Sequence, residues 1–275
     1  MKYIEEFLVA RKLDGLAENT ITQYRRELKQ LASHLDKPTI KATTTDLRSY
    51  LASFPHLAQR SINRKISTAK ALYTWLIQEG TLTVNPMTKI KTPKEPASLP
   101  RNVSKEDVEL LRWQPKSPRN QAIMELLISS GMRIGEMVVL DRRDLDMNNR
   151  QIRVTGKGSK ERLVFFGQIA KFMILEYLHT REDDNPALFI GRFGDRLSVR
   201  SIEIQLKQEA KKAGIHEKVT PHMLRHTFAS GLYENGADID FIARLLGHES
   251  VQTTRRYTHV NGRAMARMYD KFLAS

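Results

Sequence analysis

His222 and Arg225 stand three residues apart in Thr220-Pro221-His222-Met223-Leu224-Arg225-His226-Thr227-Phe228-Ala229, a stretch that reads as the start of a helix. Thr220 is a good N-cap, and Pro221 takes the first helical position, where a missing N–H costs nothing. His222 then falls in the first turn, beside unpaired backbone N–H groups and the positive end of the helix dipole. Arg225 projects from roughly the same edge, while Leu224, Phe228 and Leu232 form an adjacent core-facing stripe. A phosphate suits such a corner. An ordinary amphipathic helix with two solvated basic residues fits the same ten residues.

Four further segments carry residues capable of chemistry. Gly131-Met132-Arg133-Ile134-Gly135-Glu136 places Arg133 between a glycine that stops one helix and the start of the next. Gly156-Lys157-Gly158-Ser159-Lys160 is a turn by composition, in which glycines let a lysine approach a ligand closely. Lys157, between two glycines, is preferred there over its rival Lys160. His248 follows the stop at Gly247, after a helix that Asp238 caps. Nine residues later comes Tyr257, in Arg255-Arg256-Tyr257-Thr258-His259. With eight tyrosines and eight histidines in the chain, residue type alone selects neither Tyr257 nor His248.

These segments need a scaffold, and the chain is long enough to supply one. Its 275 residues suggest two domains. A net charge of +14 points to a polyanionic partner. The excess is shared: residues 1–100 carry 16 basic and 9 acidic side chains, leaving 29 and 22 for the rest. Both halves are therefore suited to a nucleic-acid backbone. The absence of cysteine excludes disulfides and thiolate-bound zinc and fits a reducing compartment. The acidic start lacks a signal peptide's apolar run, and no segment reaches the roughly 18 apolar residues of a membrane span. The expectation is a cytoplasmic protein with no membrane partner.

The proline-rich stretch at 89–103 reads as a linker between a domain at 1–88 and one at 104–275. Ahead of it the pattern is helical: 2–13, a helix capped by Thr20, another at 46–53 capped by Thr45, and a fourth at 57–79 stopping at Gly80. The fourth carries Arg60, Asn63, Arg64 and Lys65 near its start. These types read base edges and hold phosphate, although a solvated basic face has the same composition. After the linker, Ser104 and Asp107 open one helix, and 118–130 forms the next. Strand-like runs at 151–155 and 161–166 flank the lysine turn. Helices are expected at 168–180, 199–213, 221–234 and 239–246. The fold class is mainly α with a small antiparallel β-sheet.

Taken together, the segments resemble the tyrosine recombinases, or phage-type integrases. The order Arg133, Lys157, His222-x-x-Arg225, His248, Tyr257 matches that family's catalytic set. So do the flanking stretches G-M-R-I-G-E, T-G-K-G-S-K-E-R, P-H-M-L-R-H-T-F-A, L-L-G-H-E-S and R-R-Y-T-H-V. E-N-T-I-T-Q-Y-R-R-E-L and S-I-N-R-K-I-S-T-A-K-A-L-Y-T-W-L extend the likeness to the family's helical core-binding domain, which is SAM-like. Size and layout look most like the compact Xer-type branch. Gly135 departs from the pattern, where a larger residue such as serine is more usual.

The resemblance implies a two-domain DNA clamp: an N-terminal helical core-binding domain and a C-terminal catalytic domain. It would be a site-specific recombinase working through a covalent 3′-phosphotyrosyl intermediate and a Holliday junction. Tyr257 would be the nucleophile. Arg133 and Arg225 would clamp the phosphate, with one more hydrogen bond from His248. His222 would take the tyrosine's proton and Lys157 would protonate the leaving oxygen. Glu136 would orient Arg133 as a supporting group. Its partners would be a double-stranded DNA recombination site and three further copies in a homotetramer, or a partner recombinase in a heteromer. The helix at about 263–273 would dock on a neighbouring subunit. No cofactor is called for, and no metal: Asp144/Asp146, Asp183/Asp184 and Asp238/Asp240 all sit in turn or cap settings. The biological role stays open between Xer-type chromosome or plasmid dimer resolution and integration or excision of a mobile element. A type IB topoisomerase and a non-catalytic DNA-binding protein are the rival readings.

Overall fold

The computed structural model describes residues 1–94, 101–155 and 161–247. Lys157, His248, Tyr257 and the expected docking helix at about 263–273 lie outside the described residues. The chain divides into two compact units, Met1–Ala97 and Ser98–Ser275.

The described residues of the first unit form four α-helices, α1 (Lys2–Leu13), α2 (Glu18–His34), α3 (Thr44–Ala52) and α4 (Gln59–Gln78), with a 3-10 turn at Thr39–Lys41. Its core joins Ile4, Phe7 and Leu8 of α1 to Leu28 and Leu31 of α2, Leu47 and Tyr50 of α3, and Leu72, Tyr73 and Leu76 of α4. Each such side chain contributes roughly 1.5–3 kcal/mol when fully buried. The Phe7 ring stacks on Tyr24 at 5.6 Å and meets Trp75 edge to face at 5.7 Å. Two helix starts differ from expectation. The start of α2 is at Glu18, so Thr20 lies inside it. Thr43, not Thr45, caps α3, in a reciprocal capping box with Asp46. The Thr43 backbone N–H, with the Lys37 ammonium, lowers the Asp46 carboxyl to about 2.

The expected linker is also shorter on its N-terminal side. Ile90 is buried in the first core. The Asn63 amide donates to the Pro93 carbonyl at 3.0 Å, and the Lys70 ammonium to the Thr92 hydroxyl at 3.2 Å. On the C-terminal side, Val103 belongs to the second core.

The second unit opens with α5 (Lys105–Trp113) and α6 (Pro118–Ser130), whose caps are Ser104 and Ser117. Helix α6 is buried nearly all round through Ala122, Ile123, Met124, Leu126 and Leu127, as suits the central helix of a domain. A single turn, α7 (Ile134–Met137), follows. Next comes an antiparallel sheet of β1 (Leu145–Asp146), β2 (Gln151–Thr155) and β3 (Glu161–Phe165), in that order. The short β1 adds a third strand to the two that the pattern suggested. In β2 and β3, Ile152 pairs with Val164 and Val154 with Arg162, which puts these four side chains on the inward face.

The described residues that follow form α8 (Gln168–His179), α9 (Val199–Lys212), α10 (Pro221–Glu234) and α11 (Ile239–Leu246). Ser198, Thr220 and Asp238 cap the last three with their side chains. No described helix is long and apolar enough to cross a membrane.

Candidate active site

Two left-handed glycines set the geometry. Gly131 ends α6 at φ +61°, and a Cβ there would lie 2.3 Å from Phe228 Cδ1 and 3.1 Å from Leu246 Cδ2. The missing side chain thus lets α10 and α11 close on the end of α6. Gly247 ends α11 at φ +63°, where a Cβ would meet Arg162 Cδ at 2.7 Å. Both glycines leave helix-end carbonyls in need of donors.

Arginines meet that need. The Leu245 carbonyl accepts from Arg162 Nε at 3.3 Å, Leu246 from Arg225 Nη2 at 2.7 Å, and Gly247 from Arg133 Nη2 at 2.8 Å. Three successive carbonyls at the negative end of α11 therefore face three different guanidinium groups, as the helix dipole favours. Arg225 Nη1 also donates to the Gly131 carbonyl at 2.6 Å, which joins the ends of α6 and α11 through one side chain.

Glu136 organises the other two arginines. Its Oε1 accepts from Arg133 Nη1 at 2.9 Å and Arg162 Nη1 at 2.7 Å; its Oε2 accepts from the Arg133 backbone N–H at 2.7 Å and Arg162 Nη2 at 2.9 Å. Burial pushes this carboxyl upward, but the Arg162 fork and the Arg133 donors outweigh it and hold the group below the usual carboxylate range. Glu136 is therefore a carboxylate with four donors, not a candidate proton carrier.

The helix start at Thr220 is present, with Thr220 Oγ1 accepting from the Met223 backbone N–H at 3.2 Å. Its two basic residues nevertheless part company. His222 is exposed, while Arg225 is 5% exposed and points at the helix ends of α6 and α11. The expectation that both project from one edge is corrected: the Gly131 and Leu246 carbonyls draw Arg225 inward. His222 has a different neighbour. Its Nε2 lies 2.8 Å from Nε2 of the buried His226, with the rings edge to face at 4.3 Å. One imidazole must donate and the other accept in that contact.

Of the sequence-derived set, Arg133 and Arg225 converge on the end of α11, which leads directly to residue 248, and Glu136 holds Arg133 there. Lys157 lies in sequence between β2 and β3, outside the described residues. Arg162 was not singled out from the sequence. The available signal was its place on β3: it shares the inward face with Val164, and a charged residue there requires a buried partner.

On α4 the four DNA-contact candidates divide. Arg60 and Arg64 are exposed one turn apart, and Arg64 Nε also donates to Glu27 at 3.1 Å. Asn63 is buried, accepting from Gln59 and donating to the Pro93 carbonyl. The Lys65 ammonium is buried as well, donating to Glu27 at 2.8 Å and lying 4.3 Å from the centre of the Phe54 ring. Asn63 and Lys65 are corrected from the DNA-facing edge to the interior, where they tie α4 to the following segment and to α2. Lys65→Ala would leave the buried Glu27 carboxylate to the partly exposed Arg64 and is expected to destabilise the first unit by about 3 kcal/mol, the lower end for breaking a buried pair. Arg60→Ala, at an exposed position, is expected to lower the thermal midpoint far less. Melting curves of both variants check this, and equal midpoints would contradict it.

Four of the six paired aspartates hold nearby donors. Asp144 accepts from the Asp141 N–H, Asp146 from the Asn148 and Asn149 N–H groups, and Asp238 from the first turn of α11. Asp183 pairs with Arg181 and Arg142. Among the described residues no cluster of three or more His, Asp or Glu side chains has the spacing of a metal site.

Comparison with known proteins gives two family matches. Residues 99–263 match the phage integrase family, and residues 3–80 match the phage integrase N-terminal SAM-like domain. The chain is 36% identical over 269 residues to tyrosine recombinase XerC of Haemophilus influenzae (strain PittEE), covering 93% of this chain and 91% of that protein. It is 34% identical over 285 residues to tyrosine recombinase XerD of Listeria innocua, covering 97% and 95%. Among solved structures, XerH site-specific recombinase bound to palindromic difH substrate in a post-cleavage complex shares the fold. That match has a TM-score of 0.77 at 22% identity, over 95% of this chain and 82% of that one.

Proposed function

The chain belongs to the phage integrase family and is a site-specific tyrosine recombinase of the Xer-like branch; from that premise we propose how its residues divide the reaction. The convergence of Arg133 and Arg225 on the end of α11 carries the reading. It sets two permanent cations at the start of the segment bearing His248 and Tyr257, beside strand β3, which Lys157 precedes in the sequence.

In this reading Tyr257 Oη attacks the scissile phosphorus in line. The bond to the 5′-oxygen breaks, Lys157 gives that oxygen a proton, and a 3′-phosphotyrosyl ester remains. Charge growing on the non-bridging oxygens meets Arg133, Arg225 and His248. The carbonyls at 2.6–2.8 Å that already fix both guanidinium planes reduce the reorganisation needed. His222, backed by His226, accepts the tyrosine proton. A 5′-hydroxyl from the exchanged strand then attacks the ester and releases Tyr257, so no bond energy is lost and no nucleotide is consumed. Exchange proceeds pairwise through a Holliday junction held by four protomers, each gripping duplex DNA with both units, and Arg60 and Arg64 of α4 contact it. The cytoplasm is the proposed setting, and resolution of chromosome or plasmid dimers the proposed role.

The test uses the full chain, EDTA, and a duplex site selected from random-sequence DNA, nicked so that the cleaved strand cannot rejoin. A covalent protein–DNA adduct is expected, with mass spectrometry placing the phosphodiester on Tyr257 and the DNA joined through its 3′ end. An adduct on any other residue, or one that needs a divalent cation, would sink the assignment.

A further inference from the structure

We infer that Arg162 is a further positioning residue of the recombination reaction: it locks Glu136, and through it Arg133 and the end of α11, in the arrangement that phosphoryl transfer requires. The inference rests on the tyrosine recombinase reading above and assigns a residue that reading does not use.

Three contacts carry it. Arg162 grips Glu136 with both terminal nitrogens, at 2.7 and 2.9 Å, a fork-to-fork pairing that fixes orientation as well as distance. Its Nε reaches the Leu245 carbonyl at 3.3 Å. Its side chain lies under Gly247 so closely that a Cβ there would stand 2.7–2.8 Å from its Cδ and Nε. Arg162 is itself largely buried, its side chain 13% exposed.

The three segments so joined are far apart in sequence. Arg162 stands on β3, five residues after Lys157 in the sequence. Glu136 belongs to α7, beside Arg133. Leu245 and Gly247 lead to residue 248. One guanidinium therefore ties together the carriers of three proposed site residues. It also decides how Glu136 is shared. With Arg162 in place, the carboxylate divides four acceptor positions between two arginines. Without it, Glu136 would turn wholly toward Arg133 and compete with a DNA phosphate for that cation. Lysine cannot substitute, because a single ammonium lacks the fork that holds both carboxylate oxygens and the Leu245 carbonyl at once.

The experiment measures single-turnover adduct formation on the nicked duplex site at saturating full-length protein, with DNA affinity and thermal midpoint measured in parallel. Arg162→Lys is expected to slow cleavage roughly 10- to 100-fold, the scale of a small misplacement at a reacting centre, with affinity within about twofold of wild type. Combining Arg162→Lys with Glu136→Gln is expected to be no slower than the slower single variant, because both act through one contact. Added guanidinium at non-denaturing concentration is expected to speed cleavage by Arg162→Ala, a rescue that general destabilisation would not show. If Arg162→Ala loses its cooperative melt, the lysine variant and the double variant decide. Wild-type cleavage by Arg162→Lys, multiplied losses in the double variant, or a rate loss matched by lost affinity would overturn the inference. A wild-type chain that forms no adduct at Tyr257 would instead overturn the reading on which it rests.

Discussion

Tyr257→Phe will bind the recombination site as tightly as the wild-type chain and form no covalent adduct. The substitution removes one oxygen and keeps the ring, so contacts made by the ring face and the local packing survive. The reaction does not, because the oxygen is the atom that joins phosphorus. Neighbouring hydroxyls do not replace it. Thr258 carries an aliphatic alcohol, far less acidic than a phenol of pKa about 10. The loss should therefore reach at least about 10⁴-fold in adduct formation, the scale seen when a nucleophile is removed while the rest of a site persists. Electrophoresis under denaturing conditions reads the adduct, and a native gel reads the binding. Adducts that persist in Tyr257→Phe would place the nucleophile elsewhere. Adducts that vanish together with binding would show that the ring serves DNA contact, not chemistry.

The helices of the second unit were legible because their ends are spelled out locally. Ser104, Ser117, Ser198, Thr220 and Asp238 each cap the helix that the hydrophobic period announced, and Gly131 and Gly247 each stop one in the left-handed conformation. Where capping chemistry was ambiguous, as among Thr43, Thr44 and Thr45, the start slipped, because only one threonine has Asp46 three residues ahead. Lys65 was misread for a different reason. Its charge suggested DNA, yet it lies four residues before Ala69 and seven before Leu72, on the stripe that faces the core. Glu27 occupies the matching position in α2, three residues after Tyr24 and four before Leu31. Two opposite charges on two inward stripes are the sequence signature of the buried pair they form. The link between Glu136 and Arg162 leaves no comparable local trace. It depends on the β2–β3 register bringing residue 162 to residue 136, and a register is a tertiary fact. Arg225 falls between these cases: its role as an arginine was readable, but its burial required the ends of α6 and α11 to be in place.

That burial makes Arg225 the residue whose loss should be felt twice. Arg225→Ala removes the donor from the Gly131 and Leu246 carbonyls, at 2.6 and 2.7 Å, in a site the solvent scarcely reaches. Each unsatisfied carbonyl costs about 1–3 kcal/mol, so the second unit should lose several kcal/mol of stability and melt markedly earlier. Catalysis should fall independently. One preorganised donor to a developing oxyanion is worth about 10²–10³ in rate, and Arg225 supplies a full charge as well, so a loss of at least about 10³ is expected. Arg225→Lys separates the two effects. Its ammonium retains the charge and satisfies one carbonyl at a time, so most of the stability should return. The planar fork that spans the two helix ends while presenting a cation to the phosphate cannot be rebuilt from a point charge. Arg225→Lys should therefore fold, bind DNA and cleave poorly, at a temperature where melting curves show all three proteins native. Cleavage by Arg225→Lys at the wild-type rate would mean that charge alone suffices, and that the two carbonyl contacts serve the fold and not the reaction.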